Sequence, residues 1–441
     1  MHNFDEKATE VLRRLNSAGY KAYFVGGCVR DMLMNKIPDD IDITTNAKPD
    51  EVRALFERTH DTGLKHGTVT VVVNGTPFEV TTFRTETDYE KHRRPKEVKF
   101  VSDINEDLAR RDFTVNAIAY HPEEGLVDPF GGEKDIRDKI LRCVGNAEDR
   151  FEEDALRMLR LVRFACKTNF SVDKATFDAV VKKAELLKFI SVERIYTELT
   201  KALCSEYPEK LVIAHETGLM KYFLPELSEC FETEQNTKYH LYDAGTHILK
   251  TVCEAPCIKE VRLAALLHDI GKPRAKTTDK KGTDHFYGHE KKSAEMAHDI
   301  LNRLKADNNT KKIVCAVILH HKWDSGIPTD INVKQKILAV GKENFPYLLE
   351  LMDADTKAHN PEFTKPRIEA MAKIREIYLK IIKNKEPLCI KELAIDGKDL
   401  QDMGYSGEKI GKILGKALEI VIENPMLNTK EILTERLTDI K

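Results

Sequence analysis

Two glycines, an arginine and a pair of aspartates are the first residues able to do chemistry. Gly26-Gly27-Cys28-Val29-Arg30-Asp31 is followed nine residues later by Asp40-Ile41-Asp42. Glycines lack a Cβ and let backbone N–H groups approach phosphate oxygens closely. A helix opening at Val29-Arg30 adds a positive dipole end and a guanidinium at the same spot. In Asp40-Ile41-Asp42-Ile43-Thr44, strand alternation predicts both aspartates on one face and both isoleucines on the other. Carboxylates that close repel unless a cation sits between them, and hard oxygen ligands suit Mg²⁺. This is chemistry for handling a nucleoside triphosphate.

Two later segments could hold the rest of such a ligand. Arg110-Arg111-Asp112-Phe113-Thr114-Val115-Asn116 offers Arg111 for phosphate and Asp112 for a sugar hydroxyl. Glu152 to Arg163 reads as one helix in which Asp154, Arg157, Arg160 and Arg163 recur every three residues. Local pairing to Glu153 and Asp154 leaves Arg160 and Arg163 without acidic partners, a stripe suited to a triphosphate. Asp154 with Arg157 suggests a reader of bases. A carboxylate accepts from an exocyclic amine and a guanidinium donates to a ring nitrogen or carbonyl, a pattern that cytosine and adenine share. A mismatched buried group costs about 1–3 kcal/mol, enough to discriminate.

A second cluster is built for a metal. Leu266-Leu267-His268-Asp269-Ile270-Gly271-Lys272 ends an apolar helix, with His247 before it and His289, His320-His321 and Asp353-Ala354-Asp355 after it. Neutral imidazoles with carboxylates are standard ligands for divalent metals.

The elements that must position these groups fall into two regimes. Residues 1–135 mix short helices and strands, and Thr68–Val73, Asn74-Gly75 and Phe78–Phe83 form a hairpin signal. That hairpin, laid beside the Asp40 strand, makes Glu79 either a third carboxylate or an exposed hairpin residue. From about residue 135 apolar residues recur at three and four, so the rest is helical. It divides into a stretch over 136–223, a linker from Leu224 to Asn236, a second unit over 239–360 and a tail over 361–441. The tail carries Gly404, Gly407, Gly411 and Gly415, which suit close approach of helices or of a phosphate backbone.

Composition narrows the partners. The chain has 441 residues, 41% hydrophobic and 32% charged, the composition of a multidomain globular protein. No run of about 18 apolar residues occurs, so no membrane partner is expected. The start, Met1-His2-Asn3-Phe4-Asp5, does not read as a signal peptide, and nine scattered cysteines favour the cytoplasm. Cys253 and Cys257 have no second pair to complete a zinc site. With a net charge of −3, an RNA partner depends on local basic clusters: Arg13-Arg14, His92-Arg93-Arg94-Pro95-Lys96, Arg110-Arg111 and Lys182-Lys183.

In order and spacing these motifs resemble the class II tRNA nucleotidyltransferases, the CCA-adding enzymes and their relatives the bacterial poly(A) polymerases. The resemblance implies an α+β protein: a nucleotidyltransferase head with a small mixed sheet, then an all-helical neck, body and tail. It implies that Asp40 and Asp42 are catalytic and hold Mg²⁺. Gly27, Arg30, Arg111, Arg160 and Arg163 would bind the triphosphate of CTP or ATP, and Asp154 and Arg157 would read its base. The neck, body and tail would hold tRNA. The histidine cluster resembles an HD-type phosphohydrolase domain, with His247, His268, Asp269 and Asp355 as metal ligands. His289 and His321 would serve a second metal or phosphate, in an activity on RNA ends. Three alternatives stay open: an A-adding, C-adding or poly(A)-making relative; an RNA-end phosphohydrolase with a non-catalytic RNA-binding head; and an RNA-binding nucleotide sensor without turnover. The complete loop Thr87–Pro95 argues against the C-adding relatives, which resemble this family but are shortened there.

Overall fold

The computed structural model describes residues 4–90, 94–323 and 326–438. The chain forms two compact units, Met1–Pro225 and Glu226–Lys441.

The first unit is organised on β1 (Ala22–Val25), whose four apolar side chains are all buried. A seven-stranded sheet forms from β1, β2 (Asp42–Thr45), β3 (Thr59–Gly63), β4 (Thr68–Val73), β5 (Thr76–Thr82) and two later short strands. A separate hairpin, β6 (Arg84–Glu90) and β7 (Arg94–Phe100), stands where the sequence reading has a loop, with Lys91–Arg93 outside the described residues. The sheet closes with β8 (Ala119–His121) and β9 (Gly125–Val127), in the order β3-β4-β5-β2-β1-β8-β9. Asn74 and Gly75 turn between β4 and β5 with φ of +49° and +80°, a geometry that matches strand twist. The β2–β5 pair runs parallel and sets Asp42 opposite Glu79.

Among the described residues, ten α-helices accompany the sheet: α1 (Glu6–Ser17), α2 (Gly27–Leu33), α3 (Pro49–Leu55), α4 (Ile104–Ala109), α5 (Gly132–Asp138), α6 (Ala147–Glu153), α7 (Leu156–Thr168), α8 (Lys174–Lys183), α9 (Val192–Leu203) and α10 (Val212–Glu216). Tyr23, Val25, Phe83, Ile104, Leu108 and Val144 share one core. Glu152 to Arg163 is two helices rather than one. Asp154 leaves the helical region (φ −138°, ψ 103°), and its carboxylate accepts the N–H of Leu156 at 3.1 Å at the start of α7.

The second unit is helical. It opens with α11 (Pro225–Phe231), which occupies the expected linker; Leu227, Ser228 and Cys230 are buried, so the segment packs. Then come α12 (Ala244–Glu254), α13 (Lys259–Leu267), α14 (Lys272–Ala275), α15 (His289–Arg303), α16 (Asn308–His320), α17 (Asp330–Val340), α18 (Phe345–Ala358) and α19 (Lys365–Lys383). Helices α20 (Gly397–Asp402), α21 (Glu408–Glu423) and α22 (Lys430–Thr438) follow, with Leu400, Leu414, Ala417, Val421 and Leu433 in a core of their own. Gly411 and Gly415 lie within α21, where an added Cβ meets open space, so close helix packing is not what they serve.

Candidate functional site

A cleft of about 600 Å³ in the first unit is lined by Gly27, Arg30, Asp40, Asp42, Arg111, Asp112, Asp154, Arg157, Arg160 and Arg163. Arg84, Arg110, Lys167 and Arg194 line it too, and nine cations face six aspartates. That excess of positive charge sits in a chain whose net charge is −3, which favours a polyanionic ligand.

The glycine turn works through its neighbour. Gly26 has φ +78°, and a Cβ there would lie 2.8 Å from the Arg111 guanidinium. The missing side chain lets Arg111 pass close to the backbone, and the Arg111 Nε is buried without a hydrogen-bond partner. Helix α2 opens at Gly27, earlier than the sequence suggests. Arg30 is 2% exposed and donates to Asp31 at 2.7 Å and Asn116 at 2.6 Å. It therefore braces the wall of the cleft instead of extending a free guanidinium.

The aspartate pair is only partly strand. Asp40 sits on a bend, and β2 begins at Asp42, so alternation alone does not aim both side chains. Burial raises the pKa of Asp42, and Glu79 and Asp40 raise it further against the opposing pull of Arg111. Asp40 and Asp42 line the cleft, and a pair of carboxylates unfavourable when ionised together suits a hard divalent cation, while Glu79 is exposed.

Beyond the aspartates the arginines are partnered, contrary to the sequence reading. Arg160 binds Asp112 at 2.6 Å, and Arg163 binds Glu198 of α9 at 2.5 Å. Arg157 is held by Glu153 at 2.6 Å and by the carbonyl of Arg110 at 2.9 Å. Asp154 accepts from Arg194 at 2.7 Å. Burial of Asp112 works against its charge, but Arg160 and the hydrogen bonds from Arg160 and Asn116 hold its pKa down at about 2. Glu198 and Arg194 escaped the sequence reading, because their partners lie 35 and 40 residues away. Two other basic clusters are surface pairs, Arg13 and Arg14 with Glu10, and Lys182 and Lys183 with Glu148 and Glu152; the side chains of His92-Arg93-Arg94-Pro95-Lys96 lie outside the described residues.

The second unit gathers histidines from four helices and an aspartate from a fifth. His247 comes from α12, His268-Asp269 from the end of α13, His289 from the start of α15, His321 from the end of α16 and Asp355 from α18. His247 Nε2 lies 3.1 Å from Asp355 and 3.4 Å from Asp269; His289 Nε2 lies 3.2 Å from Asp269. His268, His289 and His321 each place Nδ1 at 2.7–2.8 Å from a main-chain carbonyl three residues back. In a neutral ring that bond places the proton on Nδ1 and leaves Nε2 available to a metal; without one, the carboxylates around His268 favour a proton on its Nε2. His268 Nε2 is buried and faces the carboxylates of Asp269 and Asp355. Burial disfavours a charged His268, yet Asp269 and Asp355 raise its pKa to about 10, while burial lowers His321 to about 3. Buried ring nitrogens and carboxylate oxygens within reach of one another, as in His247, His268 and Asp355 or His268, Asp269 and His321, fit a divalent metal.

Four groups at this cluster were missed. Lys272 sits 2.6 Å from Asp269, and His240 packs its ring 5.1 Å from that of His247. His359 lies 3.4 Å from Asp355, and Arg367 donates to His359 at 2.8 Å. Asp355 and His359 stand four apart on a helical pattern, a signal available in the sequence.

Fold and cleft together define a nucleotidyltransferase of the poly(A) polymerase type with an appended HD unit. Residues 22–142 match the Poly A polymerase head domain. Residues 169–231 match the probable RNA- and SrmB-binding site of polymerase A, and 245–358 match the HD domain. The CCA-adding enzyme of Ligilactobacillus salivarius is 36% identical over 98% of this chain and 95% of its own length. That of Geobacillus thermodenitrificans is 52% identical over 51% of this chain, an alignment spanning 55% of that enzyme. The crystal structure of the Bacillus stearothermophilus CCA-adding enzyme in complex with CTP superposes with a TM-score of 0.75 at 31% identity, covering 98% of this chain and 97% of that one. This chain belongs to the CCA-adding enzyme family. No helix among the described residues is long and apolar enough to cross a membrane.

Proposed function

We propose that this protein adds C and A to the 3′ ends of tRNA, using CTP and ATP without a nucleic-acid template. The observation that carries the reading is the convergence of both aspartates, the glycine turn and the arginine stripe on one cleft. Full-length likeness to CCA-adding enzymes supports it, as does the structure of one relative in complex with CTP.

Asp40 and Asp42 would hold Mg²⁺, with Glu79 beside Asp42. A cation held there supplies acidity to the attacking hydroxyl and charge neutralisation at the leaving pyrophosphate. Arg111, released toward the cleft by Gly26, binds the triphosphate. Arg160 and Arg163 add positive field, each oriented by its acidic partner, and Asp112 serves as much to hold Arg160 as to meet a ribose. Asp154 and Arg157 read the base edge, and their hold by Arg194 and Glu153 preorganises that edge. The test is a gel-resolved product series on tRNA ending before or after the two cytidines, with single nucleotides. Wild type adds C, then C, then A and stops, whereas Arg157→Ala loses the choice. Continuous A addition would move the chain to the poly(A)-making relatives.

A second reading concerns the histidine cluster. Its tautomer-locked rings and the convergence of His247, His268, Asp269 and Asp355 support a divalent metal and hydrolysis of phosphate esters at RNA ends. His247, His268, Asp269 and Asp355 would be the ligands. Release of phosphate from RNA ending in a 3′-phosphate, lost in Asp269→Asn, tests it.

A further inference from the structure

Beside the histidine cluster lies a second set of groups that the metal chemistry does not use. Tyr239 and Phe363 pack edge to face, 5.9 Å apart, at 79°. They are 48% and 37% exposed, so both rings offer face area to solvent. Lys238 places its ammonium 5.1 Å from one ring and 5.4 Å from the other.

This pair is pinned to the cluster by both backbones. Tyr239 directly precedes His240, whose ring lies 4.6 Å from that of His359. Asn360, one residue after His359, donates its N–H to the carbonyl of Tyr239 at 3.0 Å. Its side-chain amide donates to the carbonyl of Lys238 at 3.1 Å. On the same stretch Arg367 donates to His359 and lies 3.7 Å from Asp355, with 43% of its side chain exposed.

The geometry points to a nucleoside-recognition platform: Tyr239 and Phe363 stack the base of a nucleoside phosphate whose phosphate reaches Arg367 and the histidine cluster. The inference rests on the second reading above and names the ligand of that site. Aromatic faces accept any base by stacking, and the Lys238 ammonium beside them adds positive charge for a phosphate without selecting a sequence. A phosphate ester with no base would leave the platform bare. The ligand is thus a nucleotide, free or as the last residue of an RNA strand.

Calorimetric titration of the full chain, without added metal, tests it with adenosine 3′-phosphate, glycerol 2-phosphate and a short RNA ending in a 3′-phosphate. Tyr239→Ala should weaken adenosine 3′-phosphate about tenfold and leave glycerol 2-phosphate unmoved, with Tyr239→Trp retaining wild-type affinity. Because the nucleotide cleft of the first unit is the same in all three chains, the difference isolates the platform. A tenfold loss on Tyr239→Ala for the RNA as well as for adenosine 3′-phosphate names a strand end as the ligand; a loss for adenosine 3′-phosphate alone names a free nucleotide. Equal affinity of wild type, Tyr239→Ala and Phe363→Ala for adenosine 3′-phosphate and for the RNA overturns the inference, even if phosphate esters are hydrolysed. Absence of hydrolysis with the binding difference intact removes the hydrolase reading and leaves the platform standing.

Discussion

Asp112 and Arg160 lie 48 residues apart and meet at 2.6 Å, the carboxylate buried and the guanidinium reaching the cleft. The pair ties the segment after α4 to α7, so a charge that serves the ligand is also a strut of the fold. Its ionisation links stability to pH. The folded-state pKa of Asp112 is held at about 2, below an ordinary value of 3.8. The stabilisation is therefore complete above pH 4 and is lost as pH falls toward 2. Urea unfolding of wild type and Asp112→Asn should differ by about 1–3 kcal/mol at pH 7, and the difference should shrink through that window. A constant difference down to pH 2 would show that the carboxylate is not charged in the pair.

Asp42 has the opposite character. Burial, Glu79 and Asp40 disfavour its charge, so the ionised form costs stability at neutral pH in the absence of a cation. Asp42→Asn should therefore melt no lower than wild type without metal, while nucleotide incorporation falls roughly a hundredfold or more. Added Mg²⁺ should raise the melting temperature of wild type more than that of the variant. A variant that melts well below wild type would assign Asp42 a structural hydrogen-bonding role instead.

Gly26→Ala sets a side chain at φ +78° and 2.8 Å from the Arg111 guanidinium. The backbone strain alone costs about 1–2 kcal/mol. Displacement of Arg111 should also raise KM for nucleotide more than it lowers kcat. Unchanged KM would mean that Arg111 does not meet the triphosphate.

Base selection should depend on Asp154 and Arg157 as a unit. Each is held by a partner, Arg194 and Glu153. Arg194→Ala should thus blur discrimination against UTP and GTP without touching the base itself. A loss of roughly five- to tenfold in selectivity is expected, with a larger one for Arg157→Ala. Competition assays with mixed nucleotides measure both.

In the second unit, a divalent metal should act as a ligand of the native state. At a hundredfold excess over its dissociation constant it stabilises by about 2.7 kcal/mol. Differential scanning calorimetry with Mn²⁺ should show that rise in wild type, and chelation should abolish it. The rise should persist in Asp42→Asn, which lacks the head's cation site, and be lost when His268→Ala is added to it, since the buried His268 Nε2 faces the carboxylates of Asp269 and Asp355.

What the chain reveals unaided is local. Asn74-Gly75 between alternating strands, the glycine turn after an apolar β1, and the helical periodicity after residue 135 follow from rules that operate over a few residues. So does the sequence of residue types His247, His268-Asp269 and Asp355, because metal-ligand chemistry is written in the residues themselves. Tertiary structure alone decided the rest. It turned Arg160 and Arg163 from a bare stripe into oriented groups by bringing Asp112 and Glu198 to them. It broke the helix at Asp154, whose carboxylate competes for backbone N–H groups, and set Glu79 across a parallel register from Asp42. It also drew His240, Lys272, His359 and Arg367 around the metal cluster. Periodicity assigns a side chain to a face, but which distant charge meets it depends on packing between elements, where Coulomb attraction and desolvation are settled over a few ångströms.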